Sequence, residues 1–297
     1  QGENITTVLH LPEDETTWDK LNVVFATTSG TVRRNQLSDF SNVRPSGIIA
    51  MKLEEGDRLI SVNTCTEHDD VLLATRQGKA IRFAVADVRV FSGRNSVGVR
   101  GVRLVEGDGL ISMSILRHVE ATPDERAAYL RQANAARRAA GEVEETAPSG
   151  GDDEEASAMN LTLSPERFAE MAGYEEFLLT VSERGFGKRT SAYEYRLSGR
   201  GGQGIWNMEM SERNGLIVAT FPVKDGQEIM LVSDGGQIIR SPIKDIRIAG
   251  RRTQGVTVFR VDQAEKVVSV AAVDDQSGEG GEEGEENAET NDGGGDV

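Results

Sequence analysis

The sequence predicts an all-β fold, a propeller-like array of four-stranded blades with a small helical insertion, and three observations carry that expectation. First, one pattern occurs four times. Residues 23–39, 71–87, 177–194 and 229–245 each run from a β-rich stretch through a turn glycine, Gly30, Gly78, Gly185 or Gly236. An arginine follows each glycine by four residues (Arg34, Arg82, Arg189, Arg240) and an acid by nine (Asp39, Asp87, Glu194, Asp245). A second glycine comes later in each copy, at Gly47, Gly98, Gly204 or Gly255. Second, the turn glycines are 48, 107 and 51 residues apart, a period that belongs to stacked blades, with one insertion between the second and third copies. Third, the apolar runs inside a copy have the period of strands. No helix-period segment separates them, which disfavours helices packed on a parallel sheet.

The first copy reads as four short strands: VVFATT, TVRRNQL, GIIAMKL and RLISVNT. A lone sheet of this size cannot bury both faces, so the copies must stack side by side. The blades fall around residues 20–62, 69–116, 176–220 and 228–270, within one β domain covering 1–273. Glycine serves the turns, where positive φ or close approach costs least. Residues 5–11 (ITTVLHL) resemble the last strand of a copy, RLISVNTC or GLISMSIL, and the chain opens on Gln1 and Gly2 rather than Met. Both features suggest a piece of a longer protein that begins inside a blade.

The insertion, 118–175, carries helices near 123–140 and 165–172. Thr122, Pro123 and Glu125 form a capping box with proline at the first helical position, and Gly141 closes the run. Ser164, Pro165 and Gly173 bracket the second helix. Arg131, Arg137 and Arg138 read as a solvated face of the first in preference to a contact with a partner. The acidic, apolar-poor segment between the helices and the acidic tail 274–297 are expected to be disordered. The tail is either a solubilising terminus or a tethered polyanion that competes with an external one for a basic surface.

The net charge of −16 hides an uneven distribution. The tail holds ten acids and no base, and residues 118–176 hold fourteen acids and five bases, so the repeats keep 28 bases against 25 acids. The repeat body is weakly basic and arginine-rich. The single cysteine, Cys65, forms no internal disulfide, which fits a reducing cytoplasm. No apolar run approaches the roughly 20 residues of a membrane span, so no membrane contact is expected.

An arginine stands in a loop just before each second glycine: Arg44, Arg94, Arg200 and Arg251. Equivalent loops of a stacked array recur along one rim, so these side chains should form a curved basic stripe, with Arg89, Arg100, Lys188, Arg247 and Arg252 as further candidates. Guanidinium suits a phosphate because its planar fork gives two hydrogen bonds and stays charged. The inner arginines Arg34, Arg82, Arg189 and Arg240 keep a fixed offset from Asp39, Asp87, Glu194 and Asp245. They read as structural, each pairing with its own acid to staple a blade. Gly199, Gly201 and Gly204 spell G-x-G-x-x-G, but IWNMEM follows rather than a helix, so no dinucleotide cofactor is expected. Cys65 and His68 lack the partners of a zinc site. No catalytic site, metal or cofactor is expected in this chain.

The segments LSGRGGQGI (197–205), GKRTSAYEYR (187–196) and RRTQGVTVFR (251–260), with SGIIAMKLEEGDRLISV and GKAIRFAVADVR, resemble the C-terminal β-pinwheel domain of DNA gyrase A subunits. The resemblance covers about residues 5–273, leaving the insertion and tail outside. It implies a ring, usually of six blades, that wraps duplex DNA non-specifically on a basic outer rim to support ATP-dependent negative supercoiling by a type IIA topoisomerase. The implied partners are duplex DNA and, in the parent isomerase, the rest of gyrase A and gyrase B. The implied setting is the bacterial cytoplasm, at the nucleoid, and the isolated domain is expected to be a monomer without turnover. One departure matters: the family's basic box lies in its first blade, and this chain has only the weaker GRGGQG at 199–204. Binding and bending without full wrapping is the corresponding expectation. The alternatives are the related domain of topoisomerase IV and a protein-interaction propeller. Salt separates the last from the others, since phosphate contacts give a steep dependence.

Overall fold

The computed structural model describes residues 5–44, 46–141, 161–262 and 264–274. The first copy supplies β1 (Asn22–Thr27), β2 (Thr31–Gln36) and β3 (Leu59–Cys65). The second supplies β4 (Asp69–Thr75), β5 (Lys79–Ala84), the two-residue β6 (Val99–Arg100) and β7 (Leu110–Arg117). Helices α1 (Pro123–Ala139) and α2 (Pro165–Tyr174) follow. The third copy gives β8 (Phe177–Ser182), β9 (Phe186–Ser191), β10 (Ile205–Trp206) and β11 (Ile217–Val223). The fourth gives β12 (Gln227–Ser233), β13 (Ile238–Pro242), β14 (Val256–Thr257) and β15 (Val267–Asp274). A 3-10 turn follows the second strand of each copy, at Leu37–Phe40, Val85–Asp87, Ala192–Glu194 and Ile243–Asp245.

The strands form antiparallel sheets in the orders β3-β1-β2-β6, β10-β5-β4-β7, β11-β8-β9-β14 and β13-β12-β15. The sequence suggested that each copy keeps its four strands to itself, and here the structure differs. The short outer strand of a sheet comes from the next copy. Val99 and Arg100 lie on Val32 and Thr31, Ile205 and Trp206 on Ala80 and Lys79, Val256 and Thr257 on Gly187 and Phe186. Among the described residues the last sheet therefore has three strands, and the donor segment of the first copy, residues 47–53, pairs with none. Glycine makes the donation possible. At Gly204 φ is +73°, and a β-carbon would overlap the Ala80 carbonyl of the accepting strand. The equivalent Gly47 has open space around it. The accepting turn shows the same asymmetry, because a β-carbon on Gly185 would overlap the Phe259 carbonyl while Gly236 has nothing near it.

Neighbouring blades pack on the sheet faces, so the central strands are buried without alternation; all six residues of β1 are buried. The core lies between copies. Val24 and Val32 pack with Val71, Leu73 and Phe83; Leu72 and Ala74 with Leu178 and Tyr195; Leu179 and Val181 with Ile229 and Leu231. Each fully buried Val, Leu or Phe stabilises by about 1.5–3 kcal/mol, so most of the stability sits at blade junctions. Residues 5–11 form no strand, and Ile5 and Val8 are exposed. Among the described residues no strand pairs with them.

The inner arginines are structural, but their partners are not their own acids. They reach the 3-10 turn of the following blade, whose carbonyls need donors. Arg34 donates to the Val85 and Val88 carbonyls at 3.2 and 3.3 Å. Arg82 donates to the Ala192 carbonyl at 2.9 Å and to Asp70 at 2.9 Å. Arg189 donates to the Ile246 and Lys244 carbonyls at 2.6 and 3.2 Å and to Asp225. The acids serve elsewhere: Asp39 accepts from Asn35, and Glu194 from the Arg251 amide. Arg240, with no following blade among the described residues, is exposed and pairs with Glu228 of its own hairpin.

Both helices form, and the Thr122–Glu125 capping box is complete. Tyr129, Ala133, Met171 and Tyr193 bury the pair against the third blade. Arg137, read as solvent-facing, instead pairs with Glu175 and covers the Phe177 ring at 5.1 Å, because the helix turns that face onto the blade. Arg131 donates to the Leu161 carbonyl, and Arg138 is exposed. The acidic segment between the helices and the tail beyond Asp274 lie outside the described residues.

Candidate nucleic-acid interface

The loop before each second glycine follows directly from the 3-10 turn, so the latch that fixes the turn also aims the loop. Each loop meets the neighbouring copy, at that copy's own loop in the first pair and chiefly just beyond its second glycine in the others. Asn42, Val43, Arg44 and Ile49 share a shallow cleft with Arg94 and Asn95 of the next blade. Between the second and third blades the Gly201 amide donates to the Gly101 carbonyl at 2.6 Å and the Arg103 amide to Gly202 at 2.8 Å. Arg200 adds bonds from its guanidinium to the Asp87 and Arg100 carbonyls at 3.0 and 3.1 Å. Between the third and fourth, the Glu209 amide meets the Thr253 carbonyl at 3.2 Å and Arg251 donates to the Trp206 carbonyl at 3.1 Å. Each basic loop is thus tied to the neighbouring copy at its junction.

The candidates divide by exposure. Arg44, Arg89, Arg100 and Arg200 are exposed; Arg94, Arg247 and Arg252 are half-buried. Arg89 lies over the Phe91 ring at 4.3 Å. Two candidates are corrected. Lys188 is fully buried, its ammonium donating to the Gly250, Arg251 and Thr253 carbonyls at 2.7, 2.6 and 3.0 Å. It sits on a central strand beneath the next blade's loop and offers nothing to a phosphate outside. Burial pushes its pKa below the ordinary lysine value, against the pull of Glu194. Arg251 is 9 % exposed and turned inward, so reversing its charge would disturb the junction before it tested binding.

The structure adds residues that sequence reasoning missed. Arg33 is fully buried beneath the 93–96 loop. Its signal was the register of the repeat, since it stands three residues after Gly30 as Lys188 stands after Gly185. Trp206 is 40 % exposed with the Lys79 ammonium 3.6 Å from its ring centre. It follows Gly204 by two residues, as the exposed Arg100 follows Gly98. Arg103 is exposed beside Gly202. Cys65 is buried, and burial followed by the nearby Asp69 raises its thiol to about 12, so it is no nucleophile at neutral pH.

Chemically, this surface is a series of permanent cations on ordered loops with one exposed aromatic ring, which suits a repeating polyanion. Residues 21–66, 69–117, 176–224 and 227–274 match the family model described as the DNA gyrase C-terminal domain, beta-propeller. The chain is 57% identical over 278 residues to the DNA gyrase A protein of Granulibacter bethesdensis, covering 92% of this chain and 30% of that protein. It is 45% identical over 275 residues to the gyrase A protein of Rickettsia bellii, covering 93% and 30%. The chain thus spans about 30% of the length of these curated relatives. Among solved structures, a DNA topoisomerase IV C-terminal domain superposes with a TM-score of 0.62 at 19% identity, over 86% of this chain and 62% of that one. A DNA gyrase A C-terminal domain gives 0.60 at 21%, over 92% and 75%. These two likenesses are of fold.

Proposed function

The chain belongs to the DNA gyrase C-terminal β-propeller family, and from that premise we propose that it binds duplex DNA along its basic loops and bends it around them. The observation that supports this reading is the packing of each basic loop on the neighbouring copy, at that copy's own loop in the first pair and chiefly just beyond its second glycine in the others, with Arg44, Arg94, Arg100, Arg200 and Arg252 at or beside these contacts. Guanidinium groups on loops address phosphates rather than base edges, and both helices are packed on the third blade instead of being presented to a groove. Recognition is then of backbone and deformability, with little sequence preference. In the longer protein, the bent duplex would be delivered to the remainder of gyrase A and to gyrase B for ATP-dependent negative supercoiling in the bacterial cytoplasm.

The test is removal of charge at exposed positions whose side chains hold no blade junction. Arg44, Arg89 and Arg100 changed together to glutamine should weaken binding to a random-sequence linear duplex uniformly, by roughly 10- to 1,000-fold, without shifting the melting temperature. Unchanged affinity would refute the assignment of the rim.

A further inference from the structure

We propose that Arg33 and Lys188 are positioning residues, buried cations that hold the duplex-contacting loop of the following blade in its binding conformation. The inference rests on the reading of these loops as the DNA surface.

Both side chains are fully buried, at the same place in the repeat, and both spend their donors on loop carbonyls of the next copy. Arg33 donates to the carbonyls of Gly93, Arg94 and Ser96, the second at 2.9 Å, and its Nε donates to Asn35 at 2.8 Å. Asn35 in turn donates to the Phe91 and Gly93 carbonyls at 2.9 and 3.1 Å, and the Phe91 ring lies 5.2 Å from the guanidinium carbon. Lys188 gathers the carbonyls of Gly250, Arg251 and Thr253. An ammonium has three N–H donors, and three carbonyls use them all.

Geometry gives this arrangement a consequence for an anion outside. No peptide bond described is cis, and in a trans peptide the N–H points opposite to the C=O. Carbonyls drawn inward turn the amides of Arg94, Asn95 and Val97, and those of Arg251, Arg252 and Gln254, away from the buried cation. Such a backbone offers donors to an anion and hides its acceptors. One of these amides already does so: the Arg251 N–H donates to the Glu194 carboxylate at 2.7 Å. The second copy has no such cation, and its following loop is anchored to the preceding copy instead. Ile81 occupies the equivalent position below the 199–204 loop, and there Arg200 of the loop itself reaches back to the Asp87 and Arg100 carbonyls.

The experiment is a double-mutant cycle on this chain, measuring affinity for a random-sequence duplex and its salt dependence, with circular dichroism as the control for folding. Arg33→Met should lower affinity about tenfold and flatten the log–log salt slope by about one unit, the signature of a lost phosphate contact. In an Arg94→Gln background the same substitution should cost clearly less, because the loop it positions has already lost its charge. Arg33→Lys should recover part of the loss. Equal losses in both backgrounds, or wild-type affinity and slope in Arg33→Met, would overturn the proposal. If Arg33→Met loses β-structure, Asn35→Ala takes its place in the cycle, since it removes bonds to the Phe91 and Gly93 carbonyls of the same loop and keeps the buried charge. A wild-type chain that fails to bind duplex would defeat the underlying DNA reading, whereas a binding wild type with an uncoupled Arg33 defeats this inference alone.

Discussion

Arg82 and Arg240 occupy the same place in the repeat, and replacing each by methionine separates a blade latch from its unlatched counterpart. Arg82 is 7 % exposed and bonds the carboxylate of Asp70, itself 1 % exposed, together with the carbonyls of Ala192 and Arg117. Arg82→Met leaves that buried carboxylate with His118, 3.0 Å away, as its remaining side-chain partner, and removes the two bonds to the Ala192 and Arg117 carbonyls. Removing one partner of a buried ion pair costs about 3–5 kcal/mol. In a domain of this size about 2–4 °C accompanies each kcal/mol, so the melting temperature should fall by roughly 6–20 °C. Arg240 pairs with Glu228 at a side chain 55% exposed, and an exposed pair contributes about 0–1 kcal/mol. Thermal unfolding followed by circular dichroism reads both variants. Equal, small losses at the two positions would refute the account of the inner arginines as latches to the following blade.

Three further outcomes follow from the same geometry. Gly185→Ala and Gly236→Ala share a positive φ, but only the first drives a β-carbon into a backbone carbonyl, so urea midpoints should show the first variant less stable by about 2 kcal/mol or more. Asp57 is opposed by burial, yet the hydroxyls of Thr27, Ser29 and Thr28 and the Ser29 amide outweigh it and hold its pKa at about 2, below the ordinary 3.8. A depressed folded value stabilises above the unfolded pKa and is lost as pH falls through the folded one, so Asp57→Asn should flatten the stability profile between about pH 4 and pH 2 and leave the slope above it unchanged. Trp206→Ala should weaken binding to single-stranded DNA more than to duplex, since an exposed ring stacks only on bases that are free; equal losses in a fluorescence titration would exclude stacking.

The repeat made the fold legible because glycine, arginine and acid recur at fixed offsets, and each offset has a physical job. The helix ends were legible for the same reason, the Thr122–Glu125 box being a purely local device. Strand donation was not, because GIIAMKL reads equally well as a strand in its own sheet or in a neighbour's, and pairing is decided by contacts absent from the local pattern. The interface was legible as a register of loop arginines and illegible in depth. A lysine reads as surface by default, and nothing within the 187–196 segment announces that three carbonyls some sixty residues later enclose Lys188. Arg33 was hidden by the same rule. Comparing equivalent positions across copies would have singled out Arg33, Ile81, Lys188 and Ile239 as a column alternating between cation and hydrocarbon.

The claim that a row of loop guanidinium groups grips a polyanion is tested most directly by titrating duplex binding against salt. With about four to eight phosphate contacts, log affinity should fall linearly with log salt at a slope of roughly −4 to −7, and the Arg44, Arg89 and Arg100 triple variant should be shallower by about 2.7. A slope near zero, or one that the triple variant leaves unchanged, would contradict the account.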